Sequence, residues 1–217
     1  IDTILGSPIV FSNDGFVYFE DEIQCSDKLK VNVGLHGSAL RVQGELYTSL
    51  QPRFAMNYRL PSGMALKGSF ASMVQYVNLL TNEGLALPTD LWVPSTANIE
   101  PQRSWQAAAG VAQTFGEIEF SLEAYYKDMQ GLLSYREGAS FTSGLNENWE
   151  DQVTQGEGNS YGAEFLLQKK NGKTTGWIGY TLSWSNRRFD EINSGNWFPY
   201  TYDRRHDASI VVMHRLS

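Results

Sequence analysis

Three groups of residues have the types that chemistry needs, and their spacing sets what each could do. Glu117, Glu119 and Glu123 are close enough for an acid/base cluster. Their even spacing puts them on one side of a strand, which suits a wetted wall better than a paired-carboxylate centre. Asp203-Arg204-Arg205-His206-Asp207 combines a histidine with carboxylates. One imidazole beside two guanidinium groups is a poor cation ligand set, and the run is expected to be an ion-pair cluster where a strand begins. His36 and His214 lie far off in sequence with no obvious partner. Gly156, Gly158 and Gly162 lack the dinucleotide fingerprint spacing and no helix follows them. They are expected to let a loop bend back into its strand. No catalytic residue, metal site or cofactor is expected.

The elements that must carry these residues show in the alternation. Ile118, Phe120, Leu122, Ala124 and Tyr126 fall on one side of a strand, and Glu117, Glu119, Ser121, Glu123, Tyr125 and Lys127 on the other. The pattern recurs from Leu29 to Leu35, Phe54 to Leu60, Met64 to Phe70, Trp105 to Val111, Tyr161 to Leu167, Ile178 to Trp184 and Ala208 to Val212. With an opening strand near Phe16–Ile23 this makes about nine strands. None of those apolar sides carries Lys, Arg, Asp or Glu, whereas Arg59, Lys67, Glu119, Glu123 and Glu164 all take the other side. The apolar side is expected to face lipid and the charged side a wet lumen.

Composition agrees with many strands and turns: 11 Tyr, 11 Phe, 6 Trp and 20 Gly against 7 Pro. The net charge of −7 and the lack of a basic patch argue against nucleic acid as a partner. Cys25, alone and in a polar turn, can form no internal disulfide. No apolar run is long enough for a spanning helix. The links take turns in length. Those at 24–28, 61–63, Gly116 and 171–173 are tight, and Asn171-Gly172 is a hairpin signal. Those near 73–103, 128–160 and 186–206 are long, and the one near 37–52 is intermediate. An up-and-down transmembrane barrel has that rhythm, with short periplasmic turns and long extracellular loops. Trp105, Tyr126, Tyr161 and Trp184 each end the apolar side nearest a long loop, as a membrane-interface girdle would. Phe115 is expected near the opposite interface, and Trp177 falls on the other side.

Several segments resemble the barrel of TonB-dependent receptors, especially the Bacteroidetes type. They are Leu87-Pro88-Thr89-Asp90-Leu91-Trp92-Val93-Pro94, Asn98-Ile99-Glu100-Pro101-Gln102-Arg103-Ser104, Glu123-Ala124-Tyr125-Tyr126-Lys127-Asp128-Met129, the run from Gly156 to Phe165, the run from Gly176 to Ser185, and Asp203 to Asp207. The resemblance covers most of residues 60–217. It implies residence in the outer membrane of a Gram-negative bacterium, contact with its lipid, and energised import through a plug domain pulled by TonB. Residues 1–217 are then expected to be an internal part of the barrel, with the plug and the remaining strands outside this chain. A surface-lipoprotein lid is a partner that the family admits and no residue here supports. The function implied is nutrient uptake without covalent chemistry; the ligand is not identified.

Ligand contacts are sought in the long loops, where Phe141, Trp149, Arg187, Arg188, Trp197, Phe198, Tyr200 and Tyr202 gather, followed by Arg204 and Arg205. Aromatic platforms beside charged groups suit capture of sugars, peptides or chelates. Equally, the same rings could hold the loops against one another. Trp92, between Pro88 and Pro94, is read as a loop anchor. Two competing classes make different demands. A soluble β-sandwich carbohydrate-binding module needs a second sheet over Leu122, Phe165 and Leu182. A barrel enzyme needs a serine with a histidine, or paired acids, at the outer rim, and no such set is visible.

Overall fold

The computed structural model describes residues 10–80, 91–139 and 149–216. Alternating residues become antiparallel strands: β1 (Ser12–Gln24), β2 (Leu29–Val42), β3 (Glu45–Arg59), β4 (Ala65–Gln75), β5 (Val77–Leu80), β6 (Leu91–Pro94), β7 (Gln102–Phe115), β8 (Ile118–Tyr135), β9 (Val153–Lys169), β10 (Thr174–Arg188), β11 (Phe198–Pro199) and β12 (His206–His214). All but β5 and β6 lie in one sheet, ordered β1-β2-β3-β4-β7-β8-β9-β10, with β11 and β12 both on the far edge of β10. Each long strand therefore pairs with its neighbour along the chain, which is up-and-down topology. Nine of these strands are long, as the alternation suggests. Among the described residues no helix is long and apolar enough to cross a membrane.

Antiparallel partners share a side of the sheet, so the register fixes which side chains line up. One row across the sheet is Leu29, Tyr58, Leu66, Val111, Leu122, Phe165, Tyr180 and Ala208. No second sheet covers it: Leu122 is 44% exposed and Phe165 and Leu182 are only partly buried. The sandwich requirement is not met among the described residues.

The tight link Lys170–Lys173 forms as read, with Gly172 at φ +99°. Three expectations need correction. First, residues 37–52 are not a connection. They are the continuing halves of β2 and β3, joined by Gln43-Gly44, both at positive φ. The long and short links thus do not alternate strictly. Second, Gly156, Gly158 and Gly162 do not bend the chain. They sit inside β9 at negative φ and permit close approach: a Cβ on Gly162 would come 2.6 Å from the Leu182 carbonyl oxygen. On Gly156 it would overlap the Arg188 carbonyl oxygen and the ring of Phe189, which is fully buried. Third, Trp92 does not anchor its segment. It points outward from the β5–β6 hairpin, 65% exposed, while Val93 takes the buried place.

The strands run well past the aromatic residues instead of ending there. β8 continues nine residues beyond Tyr126, to Tyr135. Gly131, at φ +70°, opens a bulge in this extension. Two residues oppose one there, so the alternation changes phase. Leu133, above the bulge, consequently shares a side with Tyr126, below it. Over the extension the β5–β6 hairpin builds a small core of Leu80, Val93, Ile99, Leu133 and Val153. Polar groups tie the neighbouring rim together. Gln51 Nε2 donates to Ser38 Oγ (2.9 Å), its Oε1 accepts from the Val74 N–H (3.2 Å), and Tyr47 donates to the Thr96 carbonyl (2.8 Å).

Candidate functional site

Two candidate surfaces follow from the register. The first is the row Phe54, Phe70, Ala107, Tyr126, Tyr161 and Trp184. Ala107 leaves a gap in it, which Trp105 fills from two residues along β7. The Trp105 ring lies 6.3 Å from Phe70 and 5.4 Å from Tyr126; Tyr126 then lies 6.4 Å from Tyr161, and Tyr161 5.3 Å from Trp184. Five rings on five strands thus touch in sequence, each pair contributing about 0.5–1.5 kcal/mol beyond area burial. Arg205 ends the row, its guanidinium 4.8 Å from the Trp184 ring centre. The structure brings together all four girdle residues read from the sequence.

Polarity changes sharply beside this row. One step toward the long loops, the same side of the sheet carries Ser72, Asp128, Asn159 and Asn186, and the next step carries Arg103, Gln130, Glu157 and Arg188. Toward the short turns the side stays apolar through Leu122 and Phe120 as far as Phe115 and Ile118. There Lys169 enters it, paired with Glu117 at 3.1 Å. The opposite side of the sheet holds Arg59, Lys67, Glu119, Glu123 and Glu164. Lys67 and Glu123 line one groove of about 370 Å³ with Glu22, Lys30 and Asn57, and Glu119 pairs with Lys170 at 2.5 Å.

The second surface is at the rim. Ligand contacts were expected there among the loop aromatics and arginines, and alternation divides those that are described. Arg187, Phe198 and Tyr200 take the charged side, with the Arg187 guanidinium 3.4 Å from the Tyr200 ring centre and Phe198 paired to Arg187 in β11. Tyr202 meets the edge of Tyr200 at 5.3 Å. Arg188 and Trp197 take the other side, where Arg188 binds Glu157 at 2.6 Å and lies 5.5 Å from the Trp197 ring. Trp149 joins neither, because its ring packs against the small core. Phe141 and residues 87–90 lie outside the described residues.

Arg187 and Tyr200 border a cavity of about 210 Å³ with Gln75, Gln102, Leu132 and Ser134. The glutamines and the serine escaped the sequence reading, since nothing in their local pattern marks them. Three neighbouring strands, β4, β7 and β8, bring them to one place. The cavity offers a guanidinium, an aromatic face and amide groups, and so can hold a polar or anionic ligand by hydrogen bonds and stacking. His206 accepts or donates at Tyr180 Oη (2.8 Å) and His214 at Thr174 Oγ1 (2.8 Å), and neither joins a group of acids. Among the described residues there is no cluster of metal-ligating side chains.

A family model described as "TonB dependent receptor-like, beta-barrel" matches residues 5–212. No curated protein matches the chain. Among solved structures, the FrpB iron transporter of Neisseria meningitidis is similar, at a TM-score of 0.62 and 12% identity over 85% of this chain and 27% of that one. So is the ferripyoverdine receptor of the outer membrane of Pseudomonas aeruginosa, at a TM-score of 0.61 and 12% identity over 95% of this chain and 26% of that one. At that identity the likeness speaks for the fold, and the chain spans about a quarter of the length of these structures. The sheet is a piece of barrel wall, and its place is the outer membrane of a Gram-negative bacterium. The chain belongs to the TonB-dependent receptor-like β-barrel family.

Proposed function

We propose that the chain is part of the wall of a receptor that imports a ligand through TonB, with its aromatic side against lipid and its charged side against the lumen. The observation that carries this is the five-ring row with its change of polarity. From Ile118 to Asp128 β8 advances about 33 Å. A strand tilt of about 40° reduces this to about 25 Å, the height of the apolar band in outer-membrane barrels. Trp105, Tyr126, Tyr161 and Trp184 form the girdle at one limit, and Phe115 with Lys169 marks the other. The long-loop end then projects outside the cell, and β8 and β9 rise beyond the lipid to present the rim.

In this reading Arg187 and Tyr200 are the ligand contacts, with Phe198 and Tyr202 behind them, while Arg188, Trp197 and Trp149 hold the rim together. Arg59, Lys67, Glu119, Glu123 and Glu164 face the plug and water. TonB acts through that plug. Import needs no covalent step.

The test is uptake by cells carrying the whole receptor, with ferric chelates, oligosaccharides, cobalamin and peptides as probes. At least one probe is expected to enter only when TonB is present. Replacing Arg187 and Tyr200 together by alanine is expected to lower its uptake about tenfold, the worth of about 1.4 kcal/mol of binding, at an unchanged receptor level in the membrane. Uptake indifferent to TonB would mean a passive pore and would refute the proposal.

A further inference from the structure

The β5–β6 hairpin carries apolar residues on both of its faces. Leu80 and Val93 are buried on one face and belong to the small core. Val77 and Leu79 take the other face of β5, where Leu79 stands directly across from Trp92 on β6. All three are exposed, Trp92 the most. A hairpin with one dry face ordinarily carries polar side chains on the other. This one shows an indole and two aliphatic groups side by side, the kind of surface that meets a partner.

Leu79 also lines the rim cavity of about 210 Å³. Directly opposed strand residues have Cβ atoms about 4.5–5.5 Å apart, so Trp92 adjoins the cavity through Leu79. Among the described residues Arg187 is the only charged group in the lining, and no carboxylate stands beside it there; Gln75, Gln102, Ser134 and Tyr200 are the other polar groups. Stacking on Tyr200 spends no guanidinium N–H donor.

We propose that the cavity and this hairpin face form a two-part site for a small monoanionic amphiphile. A carboxylate or sulfonate is held by Arg187 through charge-assisted hydrogen bonds. It is joined to an aromatic or aliphatic body that lies over Leu79 and Trp92. One cation without a neighbouring acid matches one anionic group. Val77 and Leu79 beside the indole disfavour a neutral sugar, whose hydroxyls would lose water there without gaining partners. The proposal rests on the reading of the rim cavity as the ligand site, and narrows the ligand.

The test is a ligand-observed NMR titration of the whole receptor in lipid nanodiscs, with empty nanodiscs as the blank. The probes are 2-naphthoate, its uncharged carboxamide, acetate and maltotriose. 2-Naphthoate is expected to bind at least about tenfold more tightly than each of the others. Trp92→Ala and Leu79→Ser are each expected to weaken it about fivefold and to leave acetate unchanged. Trp92 is exposed, so its replacement spares the hairpin's core. A 2-naphthoate affinity no higher than that of any other probe, or wild-type affinity in Trp92→Ala, would overturn the site. TonB-dependent uptake is measured separately with the chelates, sugars, cobalamin and peptides named above. If it persists while the titrations fail, only the ligand class falls. If the titrations succeed while uptake is indifferent to TonB, the binding site stands and the import reading falls.

Discussion

Leu122→Arg is expected to cost the receptor about 2–4 kcal/mol of stability, because it places a guanidinium near the middle of the side that the proposed orientation sets against lipid. Leu122 lies midway along the apolar part of β8, two rows from Tyr126 and two from Ile118, and nothing in the sheet covers it. The control is Thr181→Arg, on the opposite side of the wall. Thr181 stands between Glu164 on β9 and Asp207 on β12. An arginine there reaches water and two carboxylates, and its effect is expected to stay within about 0.5 kcal/mol. Urea unfolding of the receptor in lipid vesicles measures both, as shifts in midpoint at constant slope. A tolerated Leu122→Arg with a costly Thr181→Arg would reverse the sides of the wall.

The second large effect belongs to Gly156→Ala. The new methyl would overlap a backbone oxygen, that of Arg188, and the buried Phe189 ring. A flexible side-chain tip could move aside; a carbonyl held in the β9–β10 ladder and a packed ring cannot do so cheaply. The cost is expected to reach about 3 kcal/mol and to be local, since the bulge at Gly131 and the rim begin here. Hydrogen exchange should show the amides of residues 153–158 and 186–189 opening, with β9 below Tyr161 still protected. Gly15→Ala, which would meet nothing within 4 Å, is the neutral control. Equal behaviour of the two variants would mean that β10 does not press on Gly156.

How much of this was legible follows from how sharply the two sides of a strand differ in polarity. Between Ile118 and Tyr126 each residue is either apolar or polar by position, so the two sides of the sheet and the row of rings could be read directly. Beyond the aromatic row polar residues stand on both sides and the β5–β6 hairpin covers part of one, so the period-two pattern fades. That is why Ser38-Ala39-Leu40-Arg41 and Tyr47-Thr48-Ser49-Leu50 looked like a connection, although they are paired strand. Gln43-Gly44 lacks the Asn or Asp that usually announces a two-residue turn of this hand, whereas Asn171-Gly172 has it. The bulge at Gly131 was invisible for a related reason: one extra residue changes the phase without changing composition.

The rim shows the same limit. Arg187 and Arg188 are neighbours in sequence and stood together among the candidate ligand contacts. As adjacent strand residues they must point to opposite sides, and they do, one to Tyr200 and the other to Glu157 and Trp197. The residues that border the cavity with Arg187, among them Gln75, Gln102 and Ser134, come from β4, β7 and β8, whose local patterns do not mark them. The ring of Trp149, conspicuous in sequence, is used for packing.

The most direct test of the orientation is a nitroxide scan of β10, one spin label at a time from residue 178 to residue 185, in the whole receptor within lipid vesicles. Sites 178, 180, 182 and 184 are expected to be open to oxygen dissolved in the bilayer, and sites 179, 181, 183 and 185 to a water-soluble nickel chelate. An unvarying profile along the strand, or oxygen access at the odd-numbered sites, would contradict the account.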